Sequence, residues 1–497
     1  MKRPRAWFLA AALGAALGCN NSSSNSGDRV LVDKMQYEAG IRQPQRFDVV
    51  VFKYPNGPIE NNTPKNYIKR LLGLPGEILA IFFGRLFRFA PPPGERVPVL
   101  PVQEAGAAPV NPKDLWHKDF MFINNENCKK LFDEGRFTII RKTPSVMMAL
   151  RRIVYDNDYQ AKDMINFPRW EPRKGSQWVA DKRFGFSNAA AKSEQIDWLR
   201  YQHLVRPKVG PLPGELKPQL ITDFMGYNAF ETMDRRGHPQ NHTPAENWVG
   251  DLMLECQVEA TKGEGEFWLE LSKGINRFQA RWDLGSGICT LFKCTYKEVD
   301  EGGKRNFQQV ERVELDSKPT KLRGPGTYQV RFANIDARLT VWVERELPFG
   351  DGKDYPPPEV RNGAEEDAKQ LDDIDLKKRR GPTGNDLQPA SIGANGGEVK
   401  VHHLRLWRDT YYTLSPGGCD VRPFGDAPIS LSDPEQWSEY RKMDFKTMYV
   451  QPGHFLCLGD NSQASSDSRE WGLVPQRLML GRALLVYFPF QRAGPIR

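Results

Sequence analysis

Two segments near opposite ends of this sequence concentrate residue types used in hydrolytic chemistry. YIKRLLGLPGE, at residues 67–77, places a lysine and an arginine side by side in an apolar run, and GDNSQASSDSREWGLVP, at residues 459–475, is rich in serine, aspartate and arginine. A serine hydroxyl attacks a carbonyl when a neighbouring base takes its proton, and a neutral lysine amine can be that base. These residue types favour nucleophilic hydrolysis if the fold brings the segments together.

Other chemistries have less support. The seven histidines contain no HExxH pattern, and the seven cysteines show no CxxC pair or Cys/His spacing typical of zinc, so we expect no metal and no cofactor. His402 and His403 are adjacent in an alternating run and should point to opposite faces of a strand. The 70 basic and 62 acidic residues are spread along the chain, which argues against a nucleic-acid partner.

The first 26 residues have the character of an export signal. MKRPR is basic, and the apolar run from Trp7 to Leu17 is shorter than the roughly 18 to 20 residues that span a bilayer. The run ends at Cys19 and a polar Ser/Asn tether, which resembles a lipoprotein signal with Cys19 acylated. Ala16 stands where such signals usually carry leucine, so an uncleaved anchor is an equal alternative. Both predict association with the inner membrane, at its outer, extracytoplasmic (periplasmic) face.

Short alternating runs rich in Val, Tyr, Phe and Trp predict a mainly β protein with more than one domain. Runs near both ends, such as DVVVFKY at residues 48–54 and HFLCLGDN at residues 454–461, predict one split sheet system. The predicted division is a signal or anchor segment with its tether, a first part of the split domain, an inserted β-sandwich and a second part, at residues 1–26, 27–160, 161–412 and 413–497.

The predicted insert has its own pattern. Its runs alternate at the spacing of a β-sandwich, and GTYQVRFANIDARLTVWVERELPFG resembles the back-sheet hairpin of concanavalin-like jelly rolls. Residues 352–398 lack periodicity and are predicted to form a mobile loop, whereas residues 144–158 show the four-residue spacing of an amphipathic helix. The insert is expected to be a recognition or spacer module.

Three segments occur in an order that resembles a known family. GDRVLVDK at residues 27–34, PQRFDVVVFKYP with YIKRLLGLPGE through residue 77, and GDNSQASSDSREWGLVP together resemble the bacterial type I signal peptidases, membrane-associated Ser/Lys peptidases with a β fold. The likeness covers about residues 27–90 and 453–490. Its most specific element is GDNSxxSxDSR, which chance rarely produces.

The resemblance implies that Lys69 is the general base and that Ser465 orients its amine. An unperturbed lysine, with a pKa of ~10.4, is neutral in only about one molecule in two thousand at pH 7. Burial must therefore lower this pKa, and an apolar setting that includes Ile68 and Leu71 is expected to do so.

The resemblance also implies two supporting ion pairs. Arg70 would pair with Asp460 to brace the two halves of the domain. Asp467 and Arg469, two residues apart, would form a second pair that holds the loop with Ser465 against the lysine.

The nucleophile is unresolved. The family usually carries it in a Ser-Met-x-Pro-Thr segment about eight residues before the Gly-Asp that corresponds to Gly27-Asp28, and that count arrives at Cys19. The stretch reads CNNSSSNS, so the candidates are Ser24, Ser26 and, unless it is lipidated, Cys19. A flexible tether places a nucleophile poorly, because attack needs a fixed geometry.

Two functions follow as hypotheses. The first is a signal peptidase I-like serine endopeptidase that binds exported precursor proteins as extended peptides and cleaves their signal peptides through an acyl-enzyme. The second is a catalytically inactive lipoprotein of this fold whose jelly-roll module binds a glycan or a protein.

Overall fold

A computed structural model describes residues 28–38, 41–55, 65–92, 126–181, 185–189, 192–206, 212–224, 247–301, 304–357, 380–416, 419–421, 429–443 and 445–496. The predicted signal segment and the candidate nucleophiles Ser24, Ser26 and Cys19 lie outside these residues.

The strands of the first part and the sandwich are, in chain order, β1 Arg29–Asp33, β2 Val49–Lys53, β3 Asn66–Gly73, β4 Ile78–Phe82, β5 Arg85–Phe89, β6 Thr138–Ile139, β7 Arg152–Asp156, β8 Trp170–Pro172, β9 Val179–Ala180, β10 Phe186–Asn188, β11 Asp197–Tyr201, β12 Leu252–Ala260, β13 Glu266–Lys273, β14 Asn276–Asp283, β15 Ile288–Glu301, β16 Lys304–Pro319, β17 Gly326–Ile335, β18 Arg338–Val343, β19 Lys353–Asp354, β20 Ala390–Asn395 and β21 Val399–Arg408. The remaining strands are β22 Lys446–Tyr449, β23 His454–Leu458, β24 Val474–Pro475, β25 Met479–Phe488 and β26 Gly494–Pro495.

The helices are short. The α-helices are α1 Met35–Glu38, α2 Glu126–Asp133, α3 Pro144–Leu150 and α4 Ser468–Trp471. The 3-10 helices are Lys162–Met164, Gly384–Leu387, Pro434–Lys442, Ser462–Ala464, Gln476–Leu478 and Phe490–Arg492. Within the described ranges, none of the helices has the length and apolar character needed to cross a bilayer.

Strands from both ends of the chain alternate in one antiparallel sheet, with the order β1-β25-β2-β3-β23-β24 and β26 beside β25. A second sheet, of order β22-β4-β5-β6, likewise takes strands from both sides of the sandwich. The predicted mainly β fold with a split domain is therefore confirmed. Neither part can complete its sheet alone, because neighbouring strands come from opposite ends of the sequence.

The sandwich consists of two antiparallel sheets. One has the order β19-β18-β17-β12-β21-β10-β9, with β7 also paired to β21, and the other has the order β16-β15-β14-β13-β20-β11-β8. Their facing surfaces bury large apolar side chains such as Leu254, Phe278 and Phe332, each 0 % exposed. Burial of this kind contributes roughly 1.5 to 3 kcal/mol per large apolar side chain and stabilises the packing of the two layers.

The predicted helix over residues 144–158 is wrong in its second half. Helix α3 ends at Leu150, and Arg151 adopts extended backbone angles, φ −60° and ψ 144°. Residues 152–156 form β7, in which Ile153 lies opposite Trp407 and Tyr155 opposite Leu406. Pairing with the sandwich outweighs the local helical pattern, so the sandwich sheet includes residues that lie before the predicted boundary at 160/161.

The prediction of one mobile loop over residues 352–398 is wrong at its C-terminal end. Strand β20 lies between β13 and β11 near the middle of a sandwich sheet. Its sequence, ASIGAN, has small residues where bulky neighbours need room, and a Cβ at Gly393 would lie 2.7 Å from Ile196 and 2.9 Å from Trp198. Such a strand lacks the polar-apolar alternation that the sequence prediction relied on.

Candidate active site

Strand β3 carries Lys69 into the middle of the split sheet. Val50 of β2 pairs with Lys69, and β23, from the other end of the chain, pairs with β3 on the opposite side. Lys69 shares its face of the strand with Tyr67 and Leu71, because side chains alternate along a strand. Its Nζ lies 2.9 Å from Ser465 Oγ, so the predicted base and the serine predicted to orient its amine are in hydrogen-bond contact. We call Lys69 and Ser465 the dyad.

The environment of Lys69 favours the neutral amine. Burial lowers the pKa of Lys69 below its ordinary value, Asp467 and Asp460 oppose this, and Arg469 reinforces it. Val50 and Leu71 are 0 % exposed and supply part of the apolar surroundings. Ile68 is 42 % exposed, so the expectation that it helps to desolvate the amine is wrong: it projects from the other face of β3.

Arg70 joins the two halves of the domain. Its Nε and Nη2 donate to the two carboxylate oxygens of Asp460 at 2.9 and 2.8 Å, and its Nη1 donates to the carbonyl oxygen of Phe47. Arg70 is 3 % exposed. A two-pronged guanidinium–carboxylate contact fixes orientation as well as distance. The ion pair implied by the resemblance is thus present, and it holds the start of the loop that contains Ser465.

Asp467 and Arg469 hold the other end of this loop. Arg469 Nη2 lies 2.6 Å from Asp467 Oδ2, and both side chains are fully buried. Arg469 also donates to Ser462 Oγ and to the Thr413 hydroxyl and carbonyl oxygens. Asp467 accepts from the backbone amide of Gly459 at 3.1 Å. These contacts satisfy a buried charge pair that would otherwise be costly, and they position Ser465.

Gly459 has a steric role that the sequence analysis did not assign. A Cβ at this position would lie 2.0 Å from Ser465 Oγ and 3.5 Å from Lys69 Nζ. The backbone of the GDN turn therefore approaches the dyad as closely as a glycine allows. The signal was available in the sequence, since Gly459 opens the GDNSxxSxDSR motif.

An aromatic cluster also escaped the sequence analysis. The rings of Phe52, Tyr54 and Tyr67 each lie within 6.5 Å of a neighbour in the cluster and pack around Trp471 of α4. Lys69 Nζ lies 5.9 Å from the centre of the Tyr67 ring. The cluster fixes α4 against the sheet and excludes water from one side of the amine.

A cleft opens beside the dyad. It has a volume of about 430 Å³ and is lined by Pro416, Gln463, Ala464, Ser465, Ser466, Arg469 and Glu470. Ser465 itself is 6 % exposed, so it lies at the floor of this cleft. A peptide in the cleft would approach Ser465 and Lys69 from the solvent side.

Three buried carboxylates elsewhere have oxygens within 4.8 Å of one another, in Asp251, Asp336 and Asp409. Lys142 Nζ contacts Asp336 and Asp409 at 2.8 and 2.7 Å, and Lys273 Nζ contacts Asp251. These ammonium groups occupy the place that a cation would take. We therefore interpret the cluster as a charge network between the domains, in which Lys142 belongs to the split domain and Asp336 to the sandwich.

The six cysteines among the described residues form no disulfide, and all of these six except Cys419 are buried. Cys457 pairs with Leu71 on β3, next to the lysine, and burial raises the pKa of its thiol. A thiol of raised pKa stays protonated at neutral pH and is a poor nucleophile.

The split domain has known relatives. Residues 7–87 and 395–488 match the family model described as "Signal peptidase, peptidase S26". "Signal peptidase I" of Pseudomonas fluorescens is 37 % identical over 84 residues, which cover 14 % of this chain and 27 % of the relative. "Mitochondrial ATP-independent inner membrane protease subunit 1b" of Arabidopsis thaliana is 38 % identical over 72 residues, 14 % of this chain and 40 % of the relative. The match to "Signal peptidase I" of Buchnera aphidicola spans only 18 % of that relative's length.

The solved structures that resemble the chain are β proteins. The carbohydrate binding module CBM66 from Bacillus subtilis covers 48 % of this chain and 96 % of its own, with 9 % identity and a TM-score of 0.26. The galectin LEC-6 of Caenorhabditis elegans covers 35 % of this chain and 99 % of its own, with 13 % identity and a TM-score of 0.19. The two-segment family match coincides with the halves that bring Lys69 and Ser465 together, so the split domain of this chain is similar to the signal peptidases of the S26 family.

Proposed function

We propose that this protein is a signal peptidase I-like serine endopeptidase in which Lys69 is the general base and Ser465 orients its amine. The observation that carries the proposal is the 2.9 Å contact between Lys69 Nζ and Ser465 Oγ, made where burial lowers the pKa of the lysine. Because a neutral amine has one lone pair, it can take a proton from a nucleophile while Ser465 fixes its direction.

The chemistry requires one more group, a nucleophile. Lys69 takes the proton of the attacking hydroxyl as its oxygen forms a bond to the scissile carbonyl carbon. The ammonium then returns this proton to the departing amine as the peptide bond breaks and an acyl-enzyme remains. Water, deprotonated by the same amine, releases the acyl group and regenerates the free hydroxyl.

The candidate nucleophiles differ in how far the segment before Arg29 allows them to extend toward Lys69. Asp33 and Lys69 lie at the same level of the sheet, since Asp33 pairs with Arg482, Arg482 with Val50 and Val50 with Lys69. Three strand spacings and the four residues back to Arg29 give a diagonal of about 20 Å on a flat sheet. Ser26, three residues before Arg29, extends only about 10 Å, whereas Ser24 extends about 17 Å and Cys19 more than 30 Å. The lysine and serine side chains add to these spans, so Ser24 and Cys19 can meet the Lys69 amine without full extension, whereas Ser26 requires the backbone and both side chains to be fully extended. We therefore favour Ser24 or Cys19 over Ser26.

The substrate we propose is an exported precursor protein, bound as an extended peptide. Strand addition suits a fold of antiparallel sheets, and small side chains would fit the shallow cleft beside Ser465. We further propose that residues 1–26 attach the chain to the inner membrane at its outer, periplasmic face, as their basic and apolar order suggests.

The test uses the full chain and a synthetic precursor peptide, together with a serine-directed acylating probe whose labelled residue is mapped by mass spectrometry. Lys69→Ala is expected to abolish cleavage and labelling, whereas Lys53→Ala, an exposed lysine of the neighbouring strand, leaves both intact. Ser24→Ala and Cys19→Ala are then compared, and only the variant that lacks the nucleophile loses labelling. Equal activity of Lys69→Ala and the unmodified protein would reject the proposal and favour the inactive-lipoprotein alternative.

A further inference from the structure

One outer face of the sandwich contains buried polar groups that the peptidase proposal does not use. Arg200 of β11, Glu270 of β13 and Arg277 of β14 point away from the core of the sandwich and are 8 %, 1 % and 4 % exposed. Arg200 and Arg277 both contact Glu270 Oε1, at 3.2 and 2.8 Å. Ser391 of β20 donates to the same oxygen at 3.1 Å. A buried charge costs free energy unless it is paired, so a group of buried charges on the outer face of a sheet requires an explanation.

These groups form the floor of a cleft. The cleft has a volume of about 560 Å³ and is lined by Arg173, Arg200, Arg277, Tyr296, Val299, Phe307, Gln308, Gly384, Asn385 and Gln388. The lining is largely polar and consists of guanidinium, amide and phenol groups, with only two apolar side chains. Such a surface is suited to a ligand that presents many hydrogen-bonding groups and little apolar surface.

The cleft has an excess of positive charge. Three arginines face it, and Glu270 is the carboxylate in contact with two of them, with Oε1 shared between these arginines and Oε2 accepting from Gln279 at 2.7 Å. Burial raises the pKa of Glu270, but the contacts with Arg277 and Arg200 outweigh this and lower it below its ordinary value, so the carboxylate is ionised. Arg173 is exposed at the rim and faces the same opening. One carboxylate does not balance three guanidinium groups.

Arg200 also has an unused donor. Its Nε has no hydrogen-bond partner within the part of the chain that the structure describes, although the side chain is more than nine-tenths buried. Burial lowers the pKa of Arg200, Glu270 opposes this and Arg277 and Arg173 reinforce it, with a net result of about 10. A buried N–H without an acceptor is costly, so the Arg200 guanidinium has fewer acceptors than donors and would gain from a further acceptor in the cleft.

By contrast, Arg277 is fully occupied. Its Nε donates to Asn385 Oδ1, its Nη1 to Glu270, and its Nη2 to the carbonyl oxygens of Asn385 and Gln388. Arg277 therefore fixes the position of the loop that carries Asn385 and Gln388, and Arg200 and Arg173 are the groups left to meet an anion.

We propose that this cleft binds an acidic carbohydrate, with a sugar carboxylate at Arg200 and Arg173 and sugar hydroxyls at the amides of Gln388 and Gln308. The half-buried rings of Tyr296 and Phe307 offer apolar surface to the C–H groups of a sugar ring. A bare inorganic anion would leave the amides without partners, and a peptide would find too few apolar contacts for its side chains. This proposal does not depend on peptidase activity.

The test measures binding of trigalacturonate to the full-length protein by calorimetry, with neutral galactotriose, inorganic phosphate and an acidic peptide as competing probes. Trigalacturonate is expected to bind at least about tenfold more tightly than the other three, because it alone offers both carboxylates to the arginines and hydroxyls to the amides. Arg173→Gln, at an exposed position, should weaken binding about tenfold without affecting folding. Arg200→Lys should weaken it further, because an ammonium group cannot reproduce the planar set of donors by which a guanidinium holds a carboxylate.

Arg312→Gln is the matched control. Arg312 is exposed on the same sheet, 4.0 Å from the centre of the Phe292 ring, and does not line the cleft. Binding should be unchanged in this variant. The proposal is overturned if trigalacturonate does not bind, if galactotriose, phosphate or the acidic peptide binds equally well, or if Arg312→Gln weakens binding as much as Arg173→Gln does.

Discussion

Arg152 of the sandwich donates from Nη2 to the backbone carbonyl oxygen of Asp460, across 3.1 Å. The carboxylate of Asp460 also forms the ion pair with Arg70, on the other side of the loop. A second contact runs in parallel, because Gln463 Nε2 donates to Asp223 Oδ2 at 2.8 Å. The inserted domain thus helps to hold the loop that carries Ser465 and is more than a spacer.

Arg152→Met should lower kcat for precursor-peptide cleavage several-fold while the protein remains folded. Methionine keeps the aliphatic part of the side chain but lacks the donor. One hydrogen bond of this kind stabilises the position of the loop by roughly 1 kcal/mol, which is lost in the variant. Steady-state kinetics with thermal melting measures both effects. Arg345→Met, at an exposed position of the same domain, is the control, and a similar loss there would contradict this role for Arg152.

Ser465→Ala should reduce kcat by about 10²- to 10⁴-fold, the range of a general-base contribution, with little change in KM. The alanine removes the hydroxyl that fixes the direction of the Lys69 amine, which the 2.9 Å contact identifies as its partner. Ser466→Ala is the matched control, because Ser466 is the next residue and is exposed. Equal activity of the two variants would show that Ser465 has no orienting role.

The rate of cleavage should rise with pH through an ionisation below 10.5, the ordinary value for lysine. Burial lowers the pKa of Lys69, and only the neutral amine accepts a proton, so the active fraction grows as pH increases through this value. The lowered pKa of Lys69 also affects the free energy of unfolding. Between the pKa of the folded protein and that of the unfolded chain, Lys69 is protonated mainly in the unfolded chain, so the free energy of unfolding increases as pH rises through this range. A pH profile of kcat/KM measures the ionisation.

Lys446→Met is the control for this profile. Lys446 is another half-buried lysine, and burial lowers its pKa too, yet it is hydrogen-bonded to the carbonyl oxygen of Leu414 and does not touch the dyad. The pH dependence of kcat/KM should be unchanged in this variant. If it disappears, the ionisation does not belong to Lys69.

Gly459→Ala should inactivate the protein. The added Cβ would lie 2.0 Å from Ser465 Oγ, so the serine must leave its place beside the lysine. We expect kcat to fall by at least about 10²-fold with a modest loss of stability, because a misplacement near 1 Å has this effect. Gly494→Ala, where the Cβ would meet no atom within 4 Å, should behave as the unmodified protein.

Lys142→Met should destabilise the protein by about 3 to 5 kcal/mol, since it leaves Asp336 and Asp409 buried without their main partner. Both contacts are under 3 Å, and the two aspartates raise the pKa of Lys142 despite its burial. Denaturant unfolding at neutral pH measures the change. Lys130→Met removes an exposed pair with Glu134 at 3.9 Å and should alter the stability by less than about 1 kcal/mol.

Lowering the pH should partly rescue Lys142→Met. Burial already raises the pKa of Asp409 to about 6 in the intact network. A carboxyl whose folded pKa exceeds its unfolded value destabilises the protein as it ionises, so the variant gains stability as pH falls through this range. A variant whose stability shows no such gain would contradict this account of the network.

The sequence alone predicted the parts of the structure that repeat a local pattern. Alternating strands such as β2 and β21 could be predicted because their two faces differ in burial. Strand β20 could not, because its residues are small and buried on both faces, and β7 could not, because its pairing with β21 lies 249 positions away in sequence, as the contact between Asp156 and Arg405 shows.

The residues of the candidate site likewise divide into those that a local motif predicts and those that depend on contacts between distant segments. The motifs pointed to Lys69, Ser465 and the two ion pairs because residue type and order were enough. The roles of Arg152 and of the aromatic cluster around Trp471 depend on where distant segments meet, and a single sequence does not record that. Ile68 shows a second limit of prediction from sequence. It is adjacent to Lys69 in the sequence, but its side chain lies on the opposite face of β3 and is exposed.

The chain leaves the split domain and returns to it at nearly the same point, because Thr410 Oγ1 donates to the carbonyl oxygen of Leu150 at 2.8 Å. Lys69 and Ser465 are 396 positions apart, so at about 5 to 20 residues per second the lysine emerges from the ribosome roughly 20 to 80 s before its partner. If the sandwich folds during this interval, it replaces a long flexible loop by a rigid body with adjacent ends, which removes most of the entropy that opposes closure. Assembly of the dyad then waits for translation of the last strands, so the proposed peptidase site forms only when synthesis of the chain is nearly complete.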